Sequence, residues 1–163
     1  MSEINENAQE NPGTHDTGQE TPGTENTTPA STSVLNLAIE SVMDLIDGLH
    51  PFANITRGPL GISDSLSCEI APSTTESVFM DKESYTPLTL ALNGKHSNLQ
   101  VLSDTLNNIM DTLTRLKLYP TGNGWQIVDI TNGNLPRVIG REENNSWVMA
   151  CDLVVKIYRK DET

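Results

Sequence analysis

Catalytic or metal chemistry in this chain would have to come from three histidines, two cysteines and one pair of adjacent carboxylates. Their spacing does not assemble them. His15, His50 and His96 are remote in sequence from one another and from Cys68 and Cys151. A zinc centre needs about four converging ligands, and no CxxC pair or Cys/His cluster supplies them. His96 directly precedes Ser97 at the start of a helical pattern, which gives it a turn or capping role. Ser67-Cys68-Glu69 lacks the context of a nucleophile elbow. Glu142-Glu143 has the composition of a general acid and base, but Arg141 beside it and the polar run around it mark a solvated charge cluster. Gly122-Asn123-Gly124 lacks the lysine of a phosphate loop and leads into a strand pattern instead of a helix. The residues therefore predict no enzyme, no metal and no cofactor.

What remains looks like recognition of other surfaces. Val78-Phe79-Met80 is an apolar island inside a polar loop, open either to a partner or to its own core. Leu135-Pro136-Arg137-Val138-Ile139-Gly140-Arg141 carries two arginines, a residue type favoured at interfaces for its fork of donors. The candidate interaction residues are thus Val78, Phe79, Met80, Arg137 and Arg141. The arginine stretch also suits a hairpin arm packed on its own domain.

The elements that would position these residues follow from periodicity. Val34, Leu35, Ala38, Ile39, Val42, Leu45, Ile46 and Leu49 recur at helical spacing, with N-cap candidates at Ser31-Thr32-Ser33 and a stop at Gly48. This predicts a helix over about 33–48. Phe52-Ala53-Asn54-Ile55-Thr56 is a short strand. Leu66, Cys68 and Ile70 alternate with polar neighbours in a second, and Leu88, Leu90 and Leu92 share one face of a third. Pro87 cannot donate to a ladder, which places that end of the third strand at an edge. Ser97 with Gln100 reads as a capping box opening a second helix, whose stripe is Leu99, Leu102, Leu106, Ile109, Leu113 and Leu116. Two antiparallel strands, 125–130 and 147–158, close the chain across a long connection that begins with the polar break Thr131-Asn132-Gly133-Asn134. In the last strand Trp147, Met149, Cys151, Leu153, Val155 and Ile157 form one apolar face. The expected fold is α+β: a mostly antiparallel four- to five-stranded sheet with two helices packed on one face, in the order α-β-β-(β)-α-β-β.

Composition sets the remaining bounds. The 163 residues carry a formal net charge of −12. Residues 1–32 hold six acids and no Lys or Arg, with almost no aliphatic side chains, and are expected to form a disordered acidic tail before a single domain over 33–163. The acidity argues against a protein that grips nucleic acid. Cys68 and Cys151 fall on apolar strand faces, as reduced core thiols do. No signal-peptide pattern and no membrane-length apolar run is visible, so a soluble protein of a reducing compartment is expected.

Phe79-Met80-Asp81-Lys82-Glu83, the following strand to Leu92, Gly94-Lys95-His96-Ser97-Asn98-Leu99-Gln100 and Leu106-Asn107-Asn108-Ile109 resemble the middle of the minor capsid proteins of long-tailed bacteriophages. Gly122-Asn123-Gly124-Trp125, then Leu135-Pro136, a charged turn and a closing strand resemble their C-terminal part. The resemblance spans about residues 34–159. Those proteins are similar to tail terminators, which form a ring, often a hexamer, that caps the tail tube and joins it to the head. It implies a homo-oligomeric ring of six in the virion neck, assembled in the host cytoplasm. Its partners would be the tail-tube protein and the head completion or connector protein. DNA would pass through without being gripped, and no membrane is involved. No catalytic residue is implied. The loop over 72–84, with Val78, Phe79 and Met80, is the implied ring or tube contact. The same surfaces suit an alternative, a small acidic adaptor or chaperone-like binding module.

Overall fold

The strongest alternation in the chain forms the middle of the sheet. In the computed structural model, which describes residues 33–73, 77–78 and 84–159, strand β7 (Trp147–Arg159) buries Met149, Cys151, Leu153, Val155 and Ile157. The predicted tail over 1–32 lies outside the described residues. The elements before β7 are α1 (Val34–Asp47), β1 (Ile55–Arg57), β2 (Ser65–Ala71), β3 (Ser77–Val78), β4 (Ser84–His96), α2 (Leu99–Thr114), β5 (Thr121–Gly122) and β6 (Trp125–Arg141). Register continues the apolar face across the sheet. Cys68 of β2 faces Leu92 of β4, which faces Cys151; Leu90 faces Leu153; and Val155 lies between Leu88 and Ile130.

That face is covered by α2, whose Leu102, Leu106, Ile109, Met110 and Leu113 are buried. Burying one such side chain contributes about 1.5–3 kcal/mol, against at most about 0.7 kcal/mol per ordinary residue from helix propensity, so packing holds this helix. Gly94 of β4 lets the helix come close: a Cβ there would lie 2.5 Å from Leu102 Cδ1 and 3.2 Å from Leu66 Cδ2. α1 places Ala38, Ile39, Val42 and Ile46 in the same core and touches both β1 and β6.

The helix ends differ from the sequence pattern in detail. Asn98, and not Ser97, caps α2, its side chain accepting from Gln100 N at 2.9 Å and Val101 N at 3.3 Å. The Gln100 amide turns forward to Asp104 at 2.8 Å, so no capping box forms. His96 has the turn role expected of it: its Nδ1 accepts from Asn98 N at 2.8 Å and so holds the cap in place. Ser33 caps α1 without a side-chain hydrogen bond. Gly48 keeps right-handed backbone, and the left-handed residue that turns the chain is His50, with φ of 52°.

The sheet itself departs from expectation. It is mixed and curled into a half-barrel, not a mostly antiparallel four- to five-stranded sheet. Seven strands take part, in the order β1-β2-β4-β7-β6-β5, with β3 pairing β4 off that path. The class remains α+β. Three physical reasons account for the difference. First, β1 runs parallel to β2, pairing Ile55 with Leu66 through Arg57 with Cys68. Parallel pairs normally need a long crossover. A three-residue strand requires a return of only about 10 Å, which residues 58–64 can span. Second, β3 and β5 are two-residue pairings too short for any periodicity to announce. Third, β6 does not end at the polar break. It runs for 17 residues, with register shifts at Ile127/Asp129, Asn132/Asn134, Asn134/Arg137 and Val138/Gly140. At the break Asn134 Nδ2 donates to Asp152 Oδ2, and Gly133 lets β7 approach, since a Cβ there would meet Asp152 Cβ at 3.1 Å.

The edge expected at Pro87 is also corrected. β4 lies inside the sheet, with β7 on one side and β2 and β3 on the other. Thr89 N points to the β2 side, where it donates to Ser73 Oγ at 2.8 Å. Two residues back, Pro87 N faces the same side, between the last β2 pair, Ala71 with Thr89, and the first β3 pair, Ser77 with Tyr85. The missing donor falls in a gap of the ladder.

Candidate interaction surface

The far half of β6, with the start of β7, forms a hairpin arm. Asn134 pairs with Asp152, Arg137 with Ala150, Val138 with Met149, and Arg141 with Trp147. The turn is closed by Glu142 N donating to Ser146 O at 2.8 Å and Asn145 N donating to Glu142 O at 2.9 Å. Asn145 takes the left-handed conformation there, at φ 66°, which asparagine tolerates better than most residues. Beyond Gln126 no described strand pairs with the outer side of β6. On that half Leu135, Val138 and Ile139 are 68, 47 and 57 % exposed. The sequence stretch is conspicuous for its arginines; these three aliphatics are its large exposed apolar side chains.

The two arginines have different situations. Arg141 is occupied locally: its Nε donates to Asn145 O at 3.3 Å and its guanidinium lies 4.9 Å from the centre of the Trp147 ring. Arg137 is exposed and has no hydrogen bond or ion pair among the described residues. Val78 belongs to β3, where its backbone pairs with Ser84; Phe79 and Met80 lie outside the described residues. Val78 and Arg137 lie apart along the sheet. Ser84 of β4 marks the Val78 end, and Asn93, in line with Ala150 and Arg137, marks the other. Nine residues of strand separate them, about 30 Å.

Both residues of the expected solvated carboxylate pair are exposed, the Glu142 side chain at 44 %. Glu142 holds the ammonium of Lys95 at 3.2 Å through Oε2, and the Lys95 side chain is only 4 % exposed. This pair ties the tip of the arm to β4. A buried ammonium without its carboxylate would be costly, so Glu142 is a structural residue. Nothing in the spacing of Lys95 and Glu142 signals the contact; only the β4–β7–β6 register brings them together. Ser67 Oγ is buried with no partner among the described residues.

The cysteines are inert thiols. Burial pushes Cys68 up to about 11, with Arg57 opposing and Glu69 reinforcing the shift. Burial pushes Cys151 up to about 12, with Asp152 adding to it and Arg137 opposing. They lie in register on either side of Leu92. Two strand spacings hold their Cα atoms about 9–10 Å apart, beyond the roughly 7 Å that a disulfide can bridge. Among the described residues no three His, Cys, Asp or Glu side chains gather to hold a metal. No described helix is long and apolar enough to cross a membrane. One small cleft, of about 270 Å³, opens where the turn after α1 meets α2, lined by Leu49, Pro51, Asp104, Asn108 and Ile109 among others.

No protein-family model matches the chain, and no curated protein matches it.

Proposed function

We propose that this chain is a virion structural protein of the tail-terminator type, a protomer of a ring of six that caps the tail tube of a long-tailed phage and joins tail to head. The reading starts from the resemblance carried by residues 79–109 and 122–159. The observation that carries it further is the β6–β7 arm, a hairpin latched by Lys95 and Glu142 that exposes Leu135, Val138 and Ile139 on the strand of Arg137, which has no hydrogen bond or ion pair among the described residues. A rigid sheet bearing an apolar patch with a cation suits contact with a neighbouring subunit, and two unlike surfaces meeting head to tail can close a ring. The loop of Val78, Phe79 and Met80 serves as a second contact, toward the tube. A protein of net charge −12 would line a channel through which DNA slides without sticking.

The test is assembly. Purified protein mixed with tail tubes should cap them, and the Phe79→Ser, Met80→Ser double variant should fold but fail to cap, leaving tails unjoined to heads. Infectious particles at the normal yield from that variant would remove the loop from the contact. Failure of the unaltered protein to bind tubes or heads at any concentration would replace this reading with that of a small acidic adaptor.

A further inference from the structure

Among the described residues a side-chain-sized cleft stands open and one arginine, Arg137, has no partner, and we infer that they belong together across a subunit boundary: Arg137 of one copy enters the cleft between the α1–β1 turn and α2 of another. This rests on the ring reading for the presence of a second copy, and it names the surfaces that meet.

The cleft is built for a stem with a cationic head. Ile109, 1 % exposed, forms the floor, and half-buried Leu49 and Pro51 form the walls. His50, Asp104 and Asn108 stand exposed at the rim. Its volume of about 270 Å³ falls below the roughly 300–1,000 Å³ of pockets that hold whole small molecules, and suits one long side chain. Asp104 Oδ1 accepts from Gln100 Nε2 at 2.8 Å, leaving Oδ2 without a partner among the described residues. The Asn108 amide has no hydrogen bond among the described residues. A guanidinium can bridge a carboxylate and an amide oxygen with two N–H groups while its methylenes lie on Leu49 and Pro51.

The supply of cations points to Arg137. Arg57 donates to Asn36, Lys95 pairs with Glu142, Arg115 pairs with Asp111, Arg141 is held by Asn145 and Trp147, and Lys156 lies over the Tyr85 ring. Arg159 is also engaged. Among the described bases that leaves Arg137 and Lys117. Arg137 lies on the same strand segment as exposed Leu135, Val138 and Ile139, which give a partner apolar surface to cover, and only it has the planar fork. Backbone pairing is a poor route to that patch, because Pro136 and the repeated register shifts spoil the edge, so contact has to be made by side chains. The arm and the cleft are different surfaces, which makes the contact head to tail.

The test uses the full chain at low ionic strength, with mass followed by light scattering and sedimentation over a wide concentration range. Unaltered protein should self-associate. Arg137→Asp and Asp104→Arg should each weaken association at least about tenfold, since each leaves like charges facing across the contact. The chain carrying both exchanges should recover to within about threefold, because the pair is reversed and restored. Lys117→Asp should leave association unchanged, and all four variants should melt with the unaltered protein. Single variants that associate normally, or a double variant no better than the singles, overturn the inference while leaving tube capping intact. An unaltered chain that stays monomeric to about millimolar concentration also overturns it, and the ring reading is then judged by tube capping alone.

Discussion

One strand, β6, has two halves with opposite surroundings. In the first, Trp125, Ile127 and Ile130 are buried in the core shared with α1 and α2. In the second, from Thr131 to Arg141, every residue is at least partly exposed, including three large aliphatics. The strand partner β7 is common to both halves. Pairing alone therefore does not decide burial; the cover does. The first half puts its apolar side chains into its own fold, and the second leaves them exposed.

Four substitutions or conditions probe that contrast. The largest effect belongs to the covered half. Leu106, fully buried in α2, should cost about 2–5 kcal/mol when changed to Ala, measured by urea unfolding. A cost under about 1 kcal/mol would mean that α2 does not hold the sheet face. Next is the latch. Glu142→Gln should cost about 1–3 kcal/mol, since it leaves the Lys95 ammonium buried without a counter-charge. Adding Lys95→Met should return much of that loss, and a double variant as unstable as the single would deny the pair its role.

The thiols should contribute nothing to pH dependence near neutrality. Their folded values, about 11 and about 12, lie above the ordinary 9.0. Below pH 9 both folded and unfolded chains keep their protons; above it the unfolded chain releases them first, so stability should fall as pH rises from about 9 toward 12. Urea midpoints at pH 8 and pH 10 for the unaltered chain and for Cys68→Ala, Cys151→Ala would show it, by a smaller loss in the variant. The smallest effect belongs to the arm. Val138→Ser with Ile139→Ser should change stability by no more than about 0.5 kcal/mol per site while weakening self-association. A loss of several kcal/mol would show that these residues serve the fold after all.

How much of this the sequence disclosed follows the range of each interaction. The α2 stripe and the β7 alternation were legible because one face of each is buried along its whole length. The continuation of β6 through Thr131–Asn134 was not, because its hold is the Asn134–Asp152 contact and a close approach at Gly133, both between residues far apart in the chain. The parallel β1 was hidden for a similar reason: three residues carry no period. Of the candidate contact residues, the pattern singled out Arg137 and Arg141 alike but could not tell that Arg141 is held by Asn145 and Trp147 while Arg137 has no hydrogen bond or ion pair among the described residues. It read Glu142 as solvated, which it is, but could not show its ion pair with Lys95, 47 positions away.

Pro136 and the uneven register of β6 bear on how the protein behaves at high concentration. A 17-residue strand open along most of one side would ordinarily recruit its own kind, strand upon strand, into cross-β fibrils. Here Pro136 withholds a donor and the shifts keep the remaining amides and carbonyls from lying in one regular row. The arm can thus show its greasy side chains at high concentration without offering a regular edge on which a filament could grow.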